Sequence, residues 1–122
     1  MENMLPKRMG DFVVSEANGW RSRETVAVDG GADGLAPGTV LGRVTASGAY
    51  APLAPGASDG TQTVAGVLLE AAPAGVAEKV AIVRDAEVFD RLLVFPAGAT
   101  ANQLTAARAG LNAIGLAIRT ET

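Results

Sequence analysis

The sequence predicts a mainly β domain of the α+β kind, with one short C-terminal helix and an extended N-terminal arm. Three observations carry this. Short apolar runs recur from Glu24 to Phe95, punctuated by Gly, Pro and Asp. One stretch, Thr100 to Ile114, has helical spacing behind a capping signal. Residues 1–23 follow neither period. A chain of 122 residues makes one compact domain. The predicted division is therefore an arm over 1–23 and a β-rich domain over 24–122.

The arm mixes charges with Asn18-Gly19 and with scattered large apolar groups, among them Met4, Leu5, Phe12, Val13, Val14 and Trp20. The arm is either a frayed terminus or a segment that orders against a partner, and Trp20 and Phe12 favour the second because a purely solvating tail rarely holds such residues. Thr25–Val28 is the first strand of the domain. Asp29 to Gly34 is dense in residues that tolerate positive φ and reads as a turn, as does Pro37-Gly38. Thr39–Thr45 alternates, with Val40 and Val44 on one side and Leu41 and Arg43 on the other. Gly42 within it marks a bulge or a close approach. Ala46-Ser47-Gly48 is a hairpin turn leading to Tyr50, and Pro52 to Gly60 is a loop.

Thr63–Glu70 is a buried strand, and Ala72 to Gly75 breaks the chain again. Lys79–Arg84 is the best strand, nearly continuous in apolar character. Glu87–Phe89 and Leu92–Phe95 are two more short ones. Thr100 and Gln103 have capping-box spacing. Leu104, Ala107, Leu111 and Ile114 then share one helical face. Gly110 weakens that helix by ~1 kcal/mol relative to alanine. Gly115 ends it, and Leu116–Arg119 returns as a strand.

Composition narrows the function. The hydrophobic fraction is 48%, yet much of it is alanine and only 4% of residues are aromatic. So thin a core points to stability gained by assembly, the alternative being a small Ala-rich monomer. Without cysteine there are no disulfides, thiolate zinc sites or Cys nucleophiles. Without histidine a Ser-His-Asp triad is impossible within the chain. The net charge is −3, and Lys7-Arg8 and Arg21/Arg23 are balanced by Glu2, Asp11, Glu16 and Glu24. Nucleic-acid binding needs clustered cations, so it is not expected. Only Phe12-Val13-Val14 follows Lys7-Arg8, well short of the ~7–15 apolar residues of a secretory signal. No run approaches the ~18 of a membrane span. The chain reads as soluble, with no membrane partner.

Asp85, Glu87 and Asp90 are the one local carboxylate group worth testing. In an extended chain Asp85 and Glu87 share a face and could hold a hard cation or serve as acid and base. The favoured reading is a solvated turn between strands, neutralised by Arg84 and Arg91. Gly30–Gly34 lacks the pattern of a phosphate loop, and no serine sits in G-x-S-x-G. No catalytic, cofactor-binding or metal-binding residues are assigned, and the chain is not expected to be an enzyme.

Four segments carry a resemblance. Ala36–Gly42, continuing through Arg43-Val44-Thr45, resembles the first core segment of the phage head decoration proteins, the group that includes the lambda capsid-stabilising protein. Ala57–Thr61 leading into Val64–Leu68 is similar to the family's Asp-Gly loop and its small-Gly-Ile/Val-Leu strand. Val83–Val88 resembles bacterial prophage members. Leu92–Gly98 is similar to a segment in which many members carry Trp in place of Phe95. The likeness covers about residues 24–119, and the arm before Glu24 departs from the lambda protein.

The resemblance implies a β-clip-like body and a homotrimer. It implies a seat on the outer surface of the virion, at local three-fold positions of the expanded icosahedral head. The major capsid protein would be the partner, with assembly in the host cytoplasm and no cofactor. The arm would add extended backbone to a coat-protein edge, with Phe12, Val13, Val14 and Trp20 filling pockets. Alternatives are a small ligand- or carbohydrate-binding β domain, which needs a concave pocket with aromatic walls, a β-clip nucleotide hydrolase, and another virion component such as a fibre or connector.

Overall fold

The computed structural model describes residues 13–16 and 22–119. In chain order the strands are β1 (Val13–Glu16), β2 (Arg23–Asp29), β3 (Val40–Arg43), β4 (Tyr50–Pro52), β5 (Val64–Leu68), β6 (Val76–Ile82) and β7 (Ala86–Phe89). A 3-10 turn (Asp90–Leu92), helix α1 (Ala101–Ala113) and strand β8 (Leu116–Arg119) follow. The fold is mainly β with one short C-terminal helix, as the sequence predicts. Five strands close into a barrel in the order β2-β4-β3-β5-β6, and β1-β7-β8 form a separate sheet.

Alternating side chains divide the interior in two. Val28, Leu41, Leu68, Ala81 and Val83 form one cluster, with Val26 and Tyr50 packed against it. Residues of all five barrel strands contribute, so this cluster fills the barrel. Val40, Val67, Leu69 and Ile82 point the other way. They join Val88, Leu111 and Leu116 in a second core, between the barrel and the elements β7, α1 and β8. Neighbours such as Val40 and Leu41 thus serve different cores, and both are fully buried. Strands packed on both faces read as continuous apolar runs, as Lys79–Arg84 does. Each fully buried Val or Leu contributes roughly 1.5–3 kcal/mol.

The turns follow the glycines. Gly34, Gly38 and Gly48 take positive φ at three expected turns, and Gly115 takes +92° where α1 stops. Gly42 is both a register shift in the β3–β5 pairing and a close approach to Thr61. At Gly110 a Cβ would lie 3.0 Å from Val64, so α1 comes close to β5 at its one glycine.

Two expectations need correction. Leu92–Phe95 is not a strand. Leu92 closes the 3-10 turn, Leu93 is buried, and Val94 makes only an isolated bridge to Thr39. The Leu93 amide bonds to the Asp90 carbonyl, and Pro96 has no N–H for a ladder. The second concerns the arm, over which no regular element is predicted: Val13–Glu16 is a strand, antiparallel to β7. Ser22, also within the predicted arm, is fully buried, and its Oγ donates to the Asp85 carbonyl at 2.7 Å.

Candidate functional site

The part of the molecule that combines arm, charge and an open edge is the three-stranded sheet. β1 pairs with β7 through Val13↔Val88, Ser15↔Glu87 and Glu16↔Ala86, with a register shift between Val13 and Ser15. β7 lies in the middle, so β1 is an edge strand whose outer side has no partner among the described residues. An unpaired edge is a template for another chain. Of the four residues expected to contact a partner, Val13 and Val14 lie in the backbone of β1. Phe12 and Trp20 lie outside the described residues.

The carboxylate group from the sequence sits on this same strand and its continuation. It does not converge. Glu87 accepts from Arg119 of β8 at 2.7 Å. Asp90 accepts a two-pronged bond from Arg108 of α1, Nε at 2.8 Å and Nη2 at 3.1 Å. The bond to Asp90 raises the Arg108 pKa above its ordinary value. The Arg108 guanidinium also lies over the Phe95 ring, 5.1 Å from its centre. Asp85 stands at φ +52° just before β7. Ion pairs were expected here: partners of Glu87 and Asp90 come from C-terminal elements, and Arg84 also reaches back to Glu24 at 3.2 Å. Among the described residues, no group of three or more Asp and Glu could hold a metal ion.

Two grooves mark the surface. One of about 400 Å³ lies between α1 and β5, with Leu53, Val64, Ala106, Ala107 and Gly110 in its wall. The other, about 300 Å³, is lined by Leu35, Val40, Leu53, Val94, Phe95 and Pro96. The first has no aromatic wall and the second has only Phe95, so neither matches the pocket that a carbohydrate-binding domain needs. Among the described residues, Val76 and Val94 are the exposed large hydrophobics, and no helix is long and apolar enough to cross a membrane.

The sequence singled out the carboxylates and the arm separately. It missed that β7 joins them, because the Val13–Val88 pairing leaves no local signal. In comparison with known proteins, the family model for the bacteriophage lambda head decoration protein D matches residues 4–116. No curated protein matches the chain.

Proposed function

The chain belongs to the bacteriophage lambda head decoration protein D family, and from that membership we propose how it decorates a capsid. It binds the outer surface of the expanded icosahedral head as a homotrimer at local three-fold positions. It staples neighbouring subunits of the major capsid protein against the pressure of packaged DNA. The barrel and its flanking sheet are the β-clip-like body, and the role is structural, without catalysis, cofactor, nucleic acid or membrane. Assembly takes place in the host cytoplasm.

The observation that carries the reading is the match over residues 4–116, which takes in most of the arm as well as the body. Contacts around a three-fold are heterologous and close into a ring. Three arms on one trimer convert weak contacts into avidity. The arm's coat contacts are Phe12, Val13, Val14 and Trp20. Since one side of β1 is taken by β7, a coat strand would join its outer side and extend the sheet.

The test is the mass of the purified protein, alone and mixed with expanded, undecorated capsids. A trimer, or a monomer that co-sediments at three copies per three-fold position, supports the reading. A monomer that ignores capsids overturns it. Removal of residues 1–21 takes β1 and all four arm contacts but spares the buried Ser22. This truncation should lose capsid binding while the body keeps its self-association. Undiminished binding would refute the arm's role.

A further inference from the structure

We infer that Asp33 is a site of spontaneous backbone modification, at which its side-chain carboxyl enters the main chain as isoaspartate. The inference stands apart from the capsid reading above.

The sequence has three Asp-Gly pairs, Asp29-Gly30, Asp33-Gly34 and Asp59-Gly60. In such a pair the glycine amide nitrogen can attack the aspartate Cγ, because no Cβ obstructs the approach. The N–Cγ bond forms, and the amide proton and the carboxyl hydroxyl leave as water. Water then opens the five-membered imide. Breaking the N–Cγ bond restores aspartate. Breaking the bond from the nitrogen to the aspartate carbonyl carbon leaves a main chain that runs through Cβ and Cγ, one atom longer. One water is released and one consumed, so no enzyme, oxidant or cofactor is needed. The attack does need a neutral carboxyl that can swing and a glycine amide that can leave its acceptor.

The fold restrains two of the pairs. Asp29 lies in β2 opposite Val76, and its carboxylate accepts from the Gly31 amide at 2.9 Å. The Gly30 amide is buried and donates to the Gly75 carbonyl at 2.7 Å. Asp59 is held by the Thr61 hydroxyl and amide, which favour its ionised form and so remove the neutral carboxyl. Its carbonyl accepts from the Thr45 amide, and the Gly60 amide donates to Gln62 Oε1 at 2.8 Å. Asp33 differs. Its carboxylate has no hydrogen-bond or ion-pair partner among the described residues. The Gly34 amide donates to the Gly30 carbonyl at 3.0 Å, the longest of the three glycine amide bonds. That bond spans Gly31, Ala32 and Asp33, all exposed. A Cβ on Gly31 would meet nothing within 4 Å, so the turn has space to rearrange.

The modification has a structural consequence. Directly after Gly34, Leu35 and Ala72 exchange both backbone bonds at 2.9 Å. A Cβ on Gly34 would lie 2.6 Å from the Ala72 carbonyl oxygen. An extra main-chain atom at residue 33 therefore meets backbone and displaces this bridge.

The experiment ages the full chain in mildly acidic buffer, folded and in urea. Peptide mapping assigns each isoaspartate to its residue and separates Asn18-Gly19, where deamidation also changes the mass. In urea the three Asp-Gly pairs should convert at similar rates. In the folded chain Asp33 should keep most of that rate, while Asp29 and Asp59 slow by more than about tenfold, since each must first open its local structure. Asp33→Glu, whose imide ring would have six members, should end conversion at residue 33 and leave the other two pairs as they were. Amide exchange at Leu35 and Ala72 should quicken in the aged parent and not in aged Asp33→Glu. Equal slowing of all three pairs on folding, or isoaspartate at 29 or 59 ahead of 33, overturns the inference. Conversion at 33 with unchanged exchange at Leu35 and Ala72 overturns the coupling to the bridge.

Discussion

Gly42 and Thr61 are in backbone contact: a Cβ on Gly42 would sit 2.5 Å from the Thr61 carbonyl oxygen and 2.6 Å from its Cα. Neither atom is the end of a flexible side chain, so the clash cannot be relieved by a rotamer change. Gly42→Ala should cost about 3 kcal/mol, in the range of overpacked cores. Gly56 is the control, because a Cβ there meets nothing within 4 Å and its φ is not positive. Gly56→Ala should be neutral or stabilising by about 0.5 kcal/mol. Denaturant unfolding of the two variants separates close approach from glycine content.

Thr61 has a second role, through Asp59. Its amide and hydroxyl both donate to the Asp59 carboxylate, at 3.0 Å and 2.6 Å. The hydroxyl bond, then the amide bond, lower the Asp59 pKa below its ordinary value, since both favour the ionised form. A carboxyl with a depressed folded-state pKa stabilises above its unfolded value, and that contribution is lost as pH falls through the folded value. Asp59→Asn keeps an acceptor but cannot ionise. Melting curves from about pH 7 down to about pH 2 should show the variant less stable than the parent near neutrality and the two converging in acid. A gap that stays constant with pH would count against ionised Asp59 as the cause.

The capping box at α1 is closed in both directions. Thr100 Oγ1 accepts from the Gln103 amide at 3.1 Å, and Gln103 Oε1 accepts from the Thr100 amide at 3.0 Å. Thr100→Ala should cost about 1 kcal/mol and lower the melting temperature by roughly 4 °C. Thr100→Ser keeps the oxygen and should cost much less. A serine variant as unstable as alanine would mean that the methyl group matters more than the cap.

The cap was legible in the sequence because it is local: two residues at fixed spacing satisfy each other. Gly48 and Gly115 were legible for the same reason, and Gly42 because it interrupts an alternating strand. The barrel's closure was not, since β2 meets β6 through pairs such as Val28↔Ala77 that no short pattern records. β1 escaped notice because it is four residues long, irregular between Val13 and Ser15, and paired far along the chain. Leu92–Phe95 misled because an apolar run reads alike whether it lies in a ladder or in a turn. Its conformation is set by a backbone bond, the Leu93 amide to the Asp90 carbonyl, which closes the 3-10 turn. The carboxylates were recognised as ion-paired, but the partners were sought among adjacent arginines. For Asp90 and Glu87 the fold supplies Arg108 and Arg119, from elements far along the chain.

Leu111 gives the sharpest test of how α1 is held. The helix buries only Ala107 and Leu111, and alanine has little surface to contribute. Leu111 is fully buried in the core with Val64, Val88 and Leu116, while Leu104 and Ile114 are only partly buried. One large side chain therefore carries most of the helix's attachment. Leu111→Ala should cost about 3–4 kcal/mol, by lost transfer energy and a residual cavity. The loss should also be uneven. Helix amides should exchange ahead of those in β3, β5 and β6, because the barrel keeps its own interior cluster around Leu41 and Leu68. A released α1 takes Arg108 away from Asp90, so Leu111→Ala should also quicken exchange in β7. Uniform exchange across helix and barrel would mean that the two cores unfold as one unit, and that α1 cannot loosen β7 by itself.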